Sequence, residues 1–318
     1  MAHPHTRPAL RGRLAPTPTG LLHVGHARTF ALAAERAGRA GLVMRIEDLD
    51  GQRCRPEYTA AALDDLRWLG LTWTEGPDLG GPHGPYVQSE RAAWYLEIWR
   101  RLEATGAIYP SSHSRRDVEE AATAPHEEAS IRGASTTPSP ANPPAATPGI
   151  APIPEPLFPP ALRPARRERA SEPGALPWRF RVPDGRVIEF EDGLCGTLQR
   201  TAGVDFGDFI VWRRDDLAAY ELAVVADDHA MEIAEVVRGA DLLTSTARQL
   251  LLYEALGWTP PAFAHAPLVC DTSGTRLAKR TGGLAIRDLR AAGRSPAELL
   301  TWPVASLGSP ATAPRHTS

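Results

Sequence analysis

The amino-acid sequence predicts an α/β fold built on a parallel sheet. Short apolar runs alternate with longer segments of helical spacing over residues 11–119, the order expected of strands joined by crossover helices. The chain has 318 residues, of which 42 % are apolar and 23 % charged, as in ordinary globular proteins. Thirteen prolines between Pro138 and Pro177 interrupt the pattern, and β-rich runs resume at Trp178. Without that insert roughly 260 residues remain, enough for one elaborated α/β domain.

The first β-α-β unit is predicted near the start of the chain. A short strand ends at Leu14-Ala15, and helical spacing follows from His26 to Gly38. An apolar strand from Gly41 to Ile46 then leads into Glu47-Asp48. Two more helices are predicted, and they run from Pro56 to Leu69 and from Ser89 to Ala104, the second with Ser89 as its cap and Gly106 as its stop.

Three segments follow from this pattern. Residues 1–119 are predicted to form the first half of the domain. Residues 178–318 form the second half, with the runs WRFRV, RVIEF and DFIVW as strands, a helix ending near Gly257, a loop around Lys279 and a tail of 39 residues. Residues 120–177 are predicted to be a disordered insert, because Pro, Ala, Ser and Arg with few aromatic residues cannot form a packed core. We expect its deletion from Pro138 to Pro173 to leave folding unchanged.

Charge and cysteine content limit the classes of function. The 35 basic and 38 acidic residues give a net charge of −3, which excludes a broadly basic shell for nucleic acid and leaves a local basic groove open. No apolar run has the length of a signal-peptide core or of a spanning helix, so we expect a cytoplasmic protein. Cys54, Cys195 and Cys270 are too isolated to indicate a disulfide framework or a metal knuckle.

Lysine is almost absent from the sequence. Of the 35 basic residues, 34 are arginine, and Lys279 is the only lysine. One interpretation is that this lysine survives by chance. The other is that position 279 requires a compact, mobile ammonium group, as a phosphate-contacting lysine would. Composition alone leaves both interpretations open.

The turn after the first strand has the composition of a phosphate-binding site. Residues 13–26 read RLAPTPTGLLHVGH, a Pro/Gly-rich turn followed by two histidines at the start of a helix. A helix N-terminus attracts phosphate through unpaired N–H groups and its dipole, and Gly25 lets a nucleotide approach the backbone. His23 and His26 are therefore candidates for hydrogen bonds to ATP phosphates, although capping or surface positions are the commoner use of such a pair.

Four motifs occur in the order found in class I glutamyl-tRNA synthetases, and they are RLAPTPTG from Arg13, HVGH at 23–26, RIEDLD at 45–50 and RLAKR at 276–280. The chain resembles that family, and above all its short glutamyl-Q members, over residues 11–119 and 178–302. The resemblance implies a Rossmann-like class I aminoacyl-tRNA synthetase catalytic domain with an inserted smaller α/β subdomain and no anticodon-binding domain.

An ATP site is implied by the resemblance, and its residues come from two distant parts of the sequence: His23, Gly25, His26, Arg276 and Lys279. Lys279 would stabilise the charge that develops on the α-phosphate, with His23 and His26 as further catalytic residues. The loop departs from the commoner family pattern, because Arg276 replaces a lysine and Ala278 replaces a serine. The first change keeps the charge, and the second removes a hydroxyl group that would assist loop closure.

A glutamate site is also implied by the resemblance, and it comprises Arg13, Ala15, Thr17, Glu47, Tyr220 and Arg238. Arg13 and Arg238 would pair with the side-chain carboxylate of L-glutamate, where bidentate geometry discriminates against glutamine. Glu47 and Tyr220 would hold the ammonium group. Without the motifs, a structural ion pair at the ends of neighbouring strands would be the favoured interpretation of Arg13 and Glu47.

Mg²⁺ is expected only as the ion that accompanies ATP, with most of its ligands from phosphates and water. The run Asp227-Asp228-His229 has metal-ligand chemistry, but the family that the chain resembles carries the same run after its amino-acid-binding tyrosine, and we assign no metal to it. Relatives often hold a structural zinc with cysteines after the tyrosine that corresponds to Tyr109. Here Ser111 and Ser112 precede His113, and one histidine cannot make a four-ligand site, so no structural zinc is predicted.

The leading hypothesis is a two-step enzyme, expected to be a monomer. ATP and L-glutamate give glutamyl-adenylate, and glutamate then passes to queuosine at the wobble position of tRNA(Asp). The tail of 39 residues is too short for an anticodon-binding domain, so the catalytic domain itself would take the anticodon stem-loop. Three alternatives stay open: a truncated glutamyl-tRNA synthetase, another nucleotidyltransferase acting on a small carboxylic acid, and an inactive RNA-binding paralogue.

Overall fold

The computed structural model describes residues 10–113, 117, 157–165, 169–268 and 285–301. Its helices are α1 (Val24–Ala37), α2 (Pro56–Trp68), α3 (Ala92–Thr105), α4 (Tyr220–Ala230), α5 (Leu243–Leu256), α6 (Ile286–Ala291) and α7 (Pro296–Leu300). Its strands are β1 (Gly12–Leu14), β2 (Leu42–Met44), β3 (Ile108–Pro110), β4 (Trp178–Phe180), β5 (Val187–Asp192), β6 (Gly196–Thr201), β7 (Phe209–Trp212), β8 (Glu235–Gly239) and β9 (Ala262–Ala266). The predicted α/β class is confirmed.

The parallel part of the structure comes from both halves of the chain. β1 pairs in parallel with β2, and β8 pairs in parallel with β9, which is followed by β5 and the antiparallel β6. The backbone N–H groups of Ala234 and Glu235 donate to the carbonyl of Arg11, which brings β8 against β1. β1 therefore lies between β2 and β8, where the strand order changes direction. Open α/β sheets bind ligands at the carboxyl ends of the strands at such a point.

A second sheet is antiparallel and has the order β3-β4-β7. Its core is aromatic, with the ring of Trp99 from α3 packed edge-on against Trp178 at 4.8 Å and 90°. Phe180 and Phe209 stack beside them at 5.2 Å. A separate apolar cluster, which includes Leu14, Val24, Phe30, Met44 and Leu66, joins β1, α1, β2 and α2.

The predicted elements of the first half agree with the structure to within a few residues, except at α3. Ser89 does not cap that helix, because a 3₁₀ turn over Gln88–Arg91 comes first and α3 begins at Ala92. The N–H and hydroxyl of Ser89 instead donate to the carboxylate of Asp48 at 2.8 and 2.7 Å. Gly106 ends the helix as predicted, with a φ of 80° that favours glycine.

The predicted disorder of residues 120–177 does not hold for 157–165 and 169–177. Phe158 is 3 % exposed and packs in one cluster with Tyr109. Arg163 forms a bidentate pair with Asp208 at 2.8 and 2.7 Å, and the indole of Trp178 donates to the carbonyl of Pro173 at 2.8 Å. Composition averaged over the segment hid these contacts. Residues 118–156 and 166–168 lie outside the described residues.

A search for membrane spans, restricted to the described part of the chain, found no helix with the length and apolar content to cross a bilayer.

Candidate active site

A pocket of about 410 Å³ opens where β1, β2 and β8 end and α1 begins. It is lined by nearly all the residues that the sequence assigned to a site: Arg13, Ala15, Thr17, His23, Gly25, His26, Glu47, Tyr220 and Arg238. The remaining two, Arg276 and Lys279, lie outside the described residues. Residues more than 200 positions apart, such as Arg13 and Arg238, thus share one cavity.

The histidine pair caps α1. Nδ1 of His23 accepts from the N–H of Gly25, and Nδ1 of His26 accepts from the N–H of His23, both at 3.1 Å. The ring centroids are 3.8 Å apart. Because each Nδ1 is an acceptor, the neutral rings carry their hydrogen on Nε2. The cap therefore sets two N–H donors beside a helix N-terminus, an arrangement suited to phosphate oxygens.

Two buried arginines, Arg13 and Arg238, line the pocket, and each is 4 % exposed. Nη1 of Arg13 donates to the carbonyl of Val237 at 2.8 Å, and its Nε lies 3.8 Å from Oδ1 of Asp228. Burial lowers the pKa of Arg13. Among the described residues, Nε of Arg13 and Nη1 of Arg238 have no hydrogen-bond partner. A carboxylate in the pocket would supply acceptors for both groups.

Glu47 stands on the pocket wall and is held by a buried arginine. Nη2 of Arg45 donates to Oε1 of Glu47 at 3.0 Å, and its Nη1 donates to Oδ1 of Asp228 at 2.7 Å. Burial raises the pKa of Glu47 above its ordinary value. The alternative of an Arg13–Glu47 pair is wrong, since the ion-pair partner of Glu47 is Arg45. An oriented carboxylate of this kind suits a ligand ammonium group.

Tyr220 also lines the pocket. It is the first residue of α4 and is 38 % exposed, so its ring lies at an accessible edge. The sequence alone did not assign a secondary structure to the segment YELAVVADDH, which forms this helix with residues 221–228 all buried.

Several lining residues were missed by sequence analysis: Thr29, Phe30, Val237, Gly239, Asp241, Leu242, Pro267 and Leu268. Thr29 and Phe30 lie three and four positions after His26, so helical periodicity carried a signal for them. Val237 and Gly239 belong to β8, Asp241 and Leu242 follow it, and Pro267 and Leu268 follow β9. The sequence could have predicted these residues as pocket-lining only if β8 had been placed beside β1, and that contact is non-local.

The acidic run after Tyr220 is committed to internal contacts. Asp227 accepts from Arg91 at 2.6 Å, Gln88 at 2.8 Å and Tyr95 at 2.8 Å, while His229 stacks on Trp258 at 3.7 Å. Across the described ranges, no group of three or more His, Cys, Asp or Glu side chains has the arrangement of a metal site. This run therefore orients the buried arginines of the site.

Comparison with known proteins agrees with the geometry. The family of class I tRNA synthetases (E and Q), catalytic domain, matches residues 9–137 and 162–314. The chain is 46 % identical over 289 residues to the glutamyl-Q tRNA(Asp) synthetase of Symbiobacterium thermophilum, covering 90 % of this chain and 83 % of that protein. It is 45 % identical over 300 residues to the glutamyl-Q tRNA(Asp) synthetase of Nitratidesulfovibrio vulgaris, covering 94 % and 86 %.

A solved structure supports the same relationship. The fold is similar to the crystal structure of the glutamate-tRNA synthetase from Elizabethkingia anophelis, with a TM-score of 0.65 and 27 % sequence identity. The match covers 90 % of this chain and 54 % of that chain, so the present chain spans about half the length of that synthetase.

Proposed function

The chain belongs to the family of class I tRNA synthetase catalytic domains specific for glutamate and glutamine, and from this premise we propose that it activates L-glutamate with ATP and transfers the glutamyl group to queuosine in tRNA(Asp). The roles of the site residues and the identity of queuosine as the acceptor are both part of this proposal. The observation that carries it is the single pocket that joins two buried arginines, one oriented carboxylate and a histidine-capped helix.

The pocket fits both charged ends of glutamate. The N–H groups of Arg13 and Arg238 that no described residue accepts suit the side-chain carboxylate, and because arginine only donates hydrogen bonds, they select a carboxylate over an amide. Glu47 and Tyr220 line the same cavity and suit the ammonium group. The α-carboxylate is then left to face the nucleotide.

ATP fits the other side of the pocket. The Nε2–H groups of His23 and His26 and the N-terminus of α1 offer donors to phosphate oxygens, while Gly25 keeps the approach open. Lys279, which lies outside the described residues, is proposed to stabilise the charge on the α-phosphate, assisted by Arg276. Mg²⁺ would arrive with ATP and take most of its ligands from the phosphates and water.

The reaction needs alignment more than acid–base chemistry. An oxygen of the glutamate α-carboxylate attacks the α-phosphorus of ATP. The bond between the α-phosphorus and the oxygen that bridges it to the β-phosphorus breaks, and pyrophosphate leaves with that electron pair. A queuosine hydroxyl then attacks the carbonyl carbon of glutamyl-adenylate, loses its proton and expels AMP. Holding the reactants in line supplies much of the acceleration. The substrate's own carboxylate is the nucleophile, so no protein base is required for the first step.

The tRNA partner is proposed from the names of the two relatives described above and from the resemblance of the motifs. We propose that the catalytic domain itself takes the anticodon stem-loop of tRNA(Asp) with queuosine at the wobble position, and that the protein acts as a monomer with a smaller α/β subdomain inserted between the two halves.

Pyrophosphate exchange tests the activation step. We expect exchange of labelled pyrophosphate into ATP to require L-glutamate and to proceed without any tRNA. Glutamine should not replace glutamate.

Substitution of Arg238 tests the glutamate site. Arg238→Gln should raise the KM for glutamate by about tenfold or more, because it removes a charge-assisted contact. Arg53→Gln is the matched control, since Arg53 is 74 % exposed and pairs with Asp50 away from the pocket. Exchange that appears only with tRNA(Glu) would instead indicate a truncated glutamyl-tRNA synthetase.

A further inference from the structure

Three buried polar side chains stand behind Arg238: Asp192, Thr246 and His265. His265 and Thr246 are fully buried, and Asp192 is 5 % exposed. Nδ1 of His265 lies 2.6 Å from Oδ2 of Asp192, and its Nε2 accepts from Nε of Arg238 at 3.2 Å. The three come from β5, β9 and α5, and the pocket-lining set contains none of them.

The partners of His265 fix its tautomer. The carboxylate of Asp192 accepts from Nδ1 of His265, so the ring hydrogen sits on Nδ1. Nε2 is then an acceptor, with Nε of Arg238 at 3.2 Å and the hydroxyl of Thr246 at 3.0 Å as its donors. The carboxylate of Asp192 is itself oriented, because its Oδ1 accepts from the N–H groups of Leu194 and Cys195, both at 2.9 Å. The chain of hydrogen bonds therefore runs in one direction, from Arg238 through His265 to Asp192.

The same contacts fix the rotation of the guanidinium group. Nη2 of Arg238 donates to Oγ1 of Thr246 at 2.7 Å, and the ring of Phe263 lies 5.4 Å from the Cζ atom. With Nε and Nη2 both held, Nη1 is the nitrogen left without a partner among the described residues. Arg238 lines the pocket, and Nη1 is its nitrogen whose hydrogens no described residue accepts.

We propose that Asp192 and His265 are positioning residues that hold Arg238 in the orientation that recognises the substrate carboxylate. The inference rests on the proposed function, because it gives Arg238 a glutamate side chain to bind. A guanidinium held by its Nε and Nη2 loses less freedom when a ligand binds, which strengthens selective binding. Neither Asp192 nor His265 touches the substrate, so both act through Arg238.

Protonation of His265 would break this arrangement. The charged ring carries a hydrogen on Nε2, cannot accept from Arg238 and repels it. Burial lowers the pKa of His265 below its ordinary value, so the ring is neutral at pH 7. The groups facing it are Asp192 from β5, Arg238 from β8 and Arg13 from β1, and the Cys195 thiol contacts its carbonyl at 3.6 Å. The two arginines oppose protonation and Asp192 favours it.

Two substitutions separate the contacts of His265. His265→Asn places an amide near the Nδ1 position, which keeps the donation to Asp192 and removes the acceptor for Arg238. His265→Gln carries a carbonyl oxygen to the Nε2 position and restores that acceptor. In pyrophosphate exchange, His265→Asn should raise the KM for glutamate at least tenfold, roughly, with the KM for ATP unchanged, while His265→Gln stays within about threefold of wild type. Equal glutamate KM values in wild type and His265→Asn would overturn the inference, as would equal rises for glutamate and ATP.

Two further readouts test the inference, and the second needs only the wild-type protein. As the pH falls below the usual range of histidine, the glutamate KM of the wild type should rise more steeply than that of His265→Gln. In ¹⁵N–¹H correlation spectra of the full chain, the ring of His265 should show the neutral Nδ1–H tautomer. An Nε2–H tautomer overturns the inference whether or not the protein exchanges pyrophosphate. A wild type without glutamate-dependent exchange overturns the proposed function, and the tautomer then decides the inference separately.

Discussion

A single buried residue, Arg45, supplies the positive charge that three carboxylates beside the candidate site share. It is fully buried and pairs with Asp228 at 2.7 Å, Glu47 at 3.0 Å and Asp227 at 3.8 Å. Burial opposes its charge, yet the carboxylates of Asp228 and Glu47 outweigh this and raise the pKa of Arg45. RIEDLD is recognisable as a motif in the sequence, but nothing local assigns a role to this arginine, because its partners Asp227 and Asp228 lie about 180 positions away.

Arg45→Leu should therefore destabilise the protein strongly, because it leaves buried carboxylates without a counter-charge. We expect a loss of about 3 to 5 kcal/mol in the free energy of unfolding, measured by urea denaturation. Arg53→Leu is the control, since Arg53 is 74 % exposed and its pair with Asp50 should contribute about 1 kcal/mol or less. Similar losses in the two variants would show that burial of the Arg45 network has been misjudged.

Two independent features of the sequence indicate a catalytic role for Lys279. It is the only lysine in the chain, and it occupies the lysine position of the RLAKR motif. Lys279→Arg keeps the charge but replaces a compact ammonium with a planar group, so we expect the rate of glutamate activation to fall at least tenfold, or about 1.4 kcal/mol of barrier. The measurement is kcat for pyrophosphate exchange at saturating glutamate and ATP. A rate within about twofold of wild type would favour chance survival of the only lysine.

At the scale of elements, α1 has two tasks that one substitution can separate. The Nδ1 atom of His23 caps the helix, and its Nε2–H is the proposed phosphate donor. His23→Asn keeps an acceptor for the N–H of Gly25 and loses the Nε2–H group, so stability should be retained while the KM for ATP rises several-fold. His23→Ala loses both and should also cost about 1 kcal/mol of stability. An unchanged KM for ATP in His23→Asn would leave capping as the role of this residue.

Local elements were predictable from sequence, and their pairing was not. β1, α1, β2 and α2 follow from periodicity, proline placement and glycine stops within 60 residues of chain. The pairing of β3 with β4 joins Tyr109 to Arg179 across the proline-rich insert, and the contact of β8 with β1 joins residues more than 200 positions apart. Such contacts depend on tertiary packing. The motifs nevertheless contain seven of the pocket-lining residues, because RLAPTPTG spans the carboxyl end of β1, RIEDLD directly follows that of β2 and HVGH opens α1: Arg13, Ala15, Thr17, His23, Gly25, His26 and Glu47.

At the scale of the whole molecule, two parts of the proline-rich insert are expected to differ in how much they contribute to stability. Phe158 packs against Tyr109, and the guanidinium of Arg179 lies 4.3 Å from the centre of its ring. Phe158→Ala should therefore cost about 3 kcal/mol of stability. Deletion of residues 138–153, which have no large aromatic residue, should change Tm by about 2 °C or less.

The deletion from Pro138 to Pro173 now carries a different expectation from the one based on composition. It removes Phe158, Arg163 and the carbonyl that accepts from Trp178, so Tm should fall by several degrees. Thermal unfolding of the two deletions side by side tests this. An equal Tm for both would show that residues 157–173 contribute little to stability.

Transfer of tritiated glutamate to purified tRNA(Asp), with and without queuosine, tests the central claim most directly. We expect label to enter only the queuosine-containing tRNA, and nuclease digestion to recover it in the anticodon-loop fragment carrying the wobble nucleoside. Label recovered on the 3′-terminal adenosine, or equal labelling of tRNA lacking queuosine, would contradict the account and identify the chain as a synthetase that charges the acceptor end.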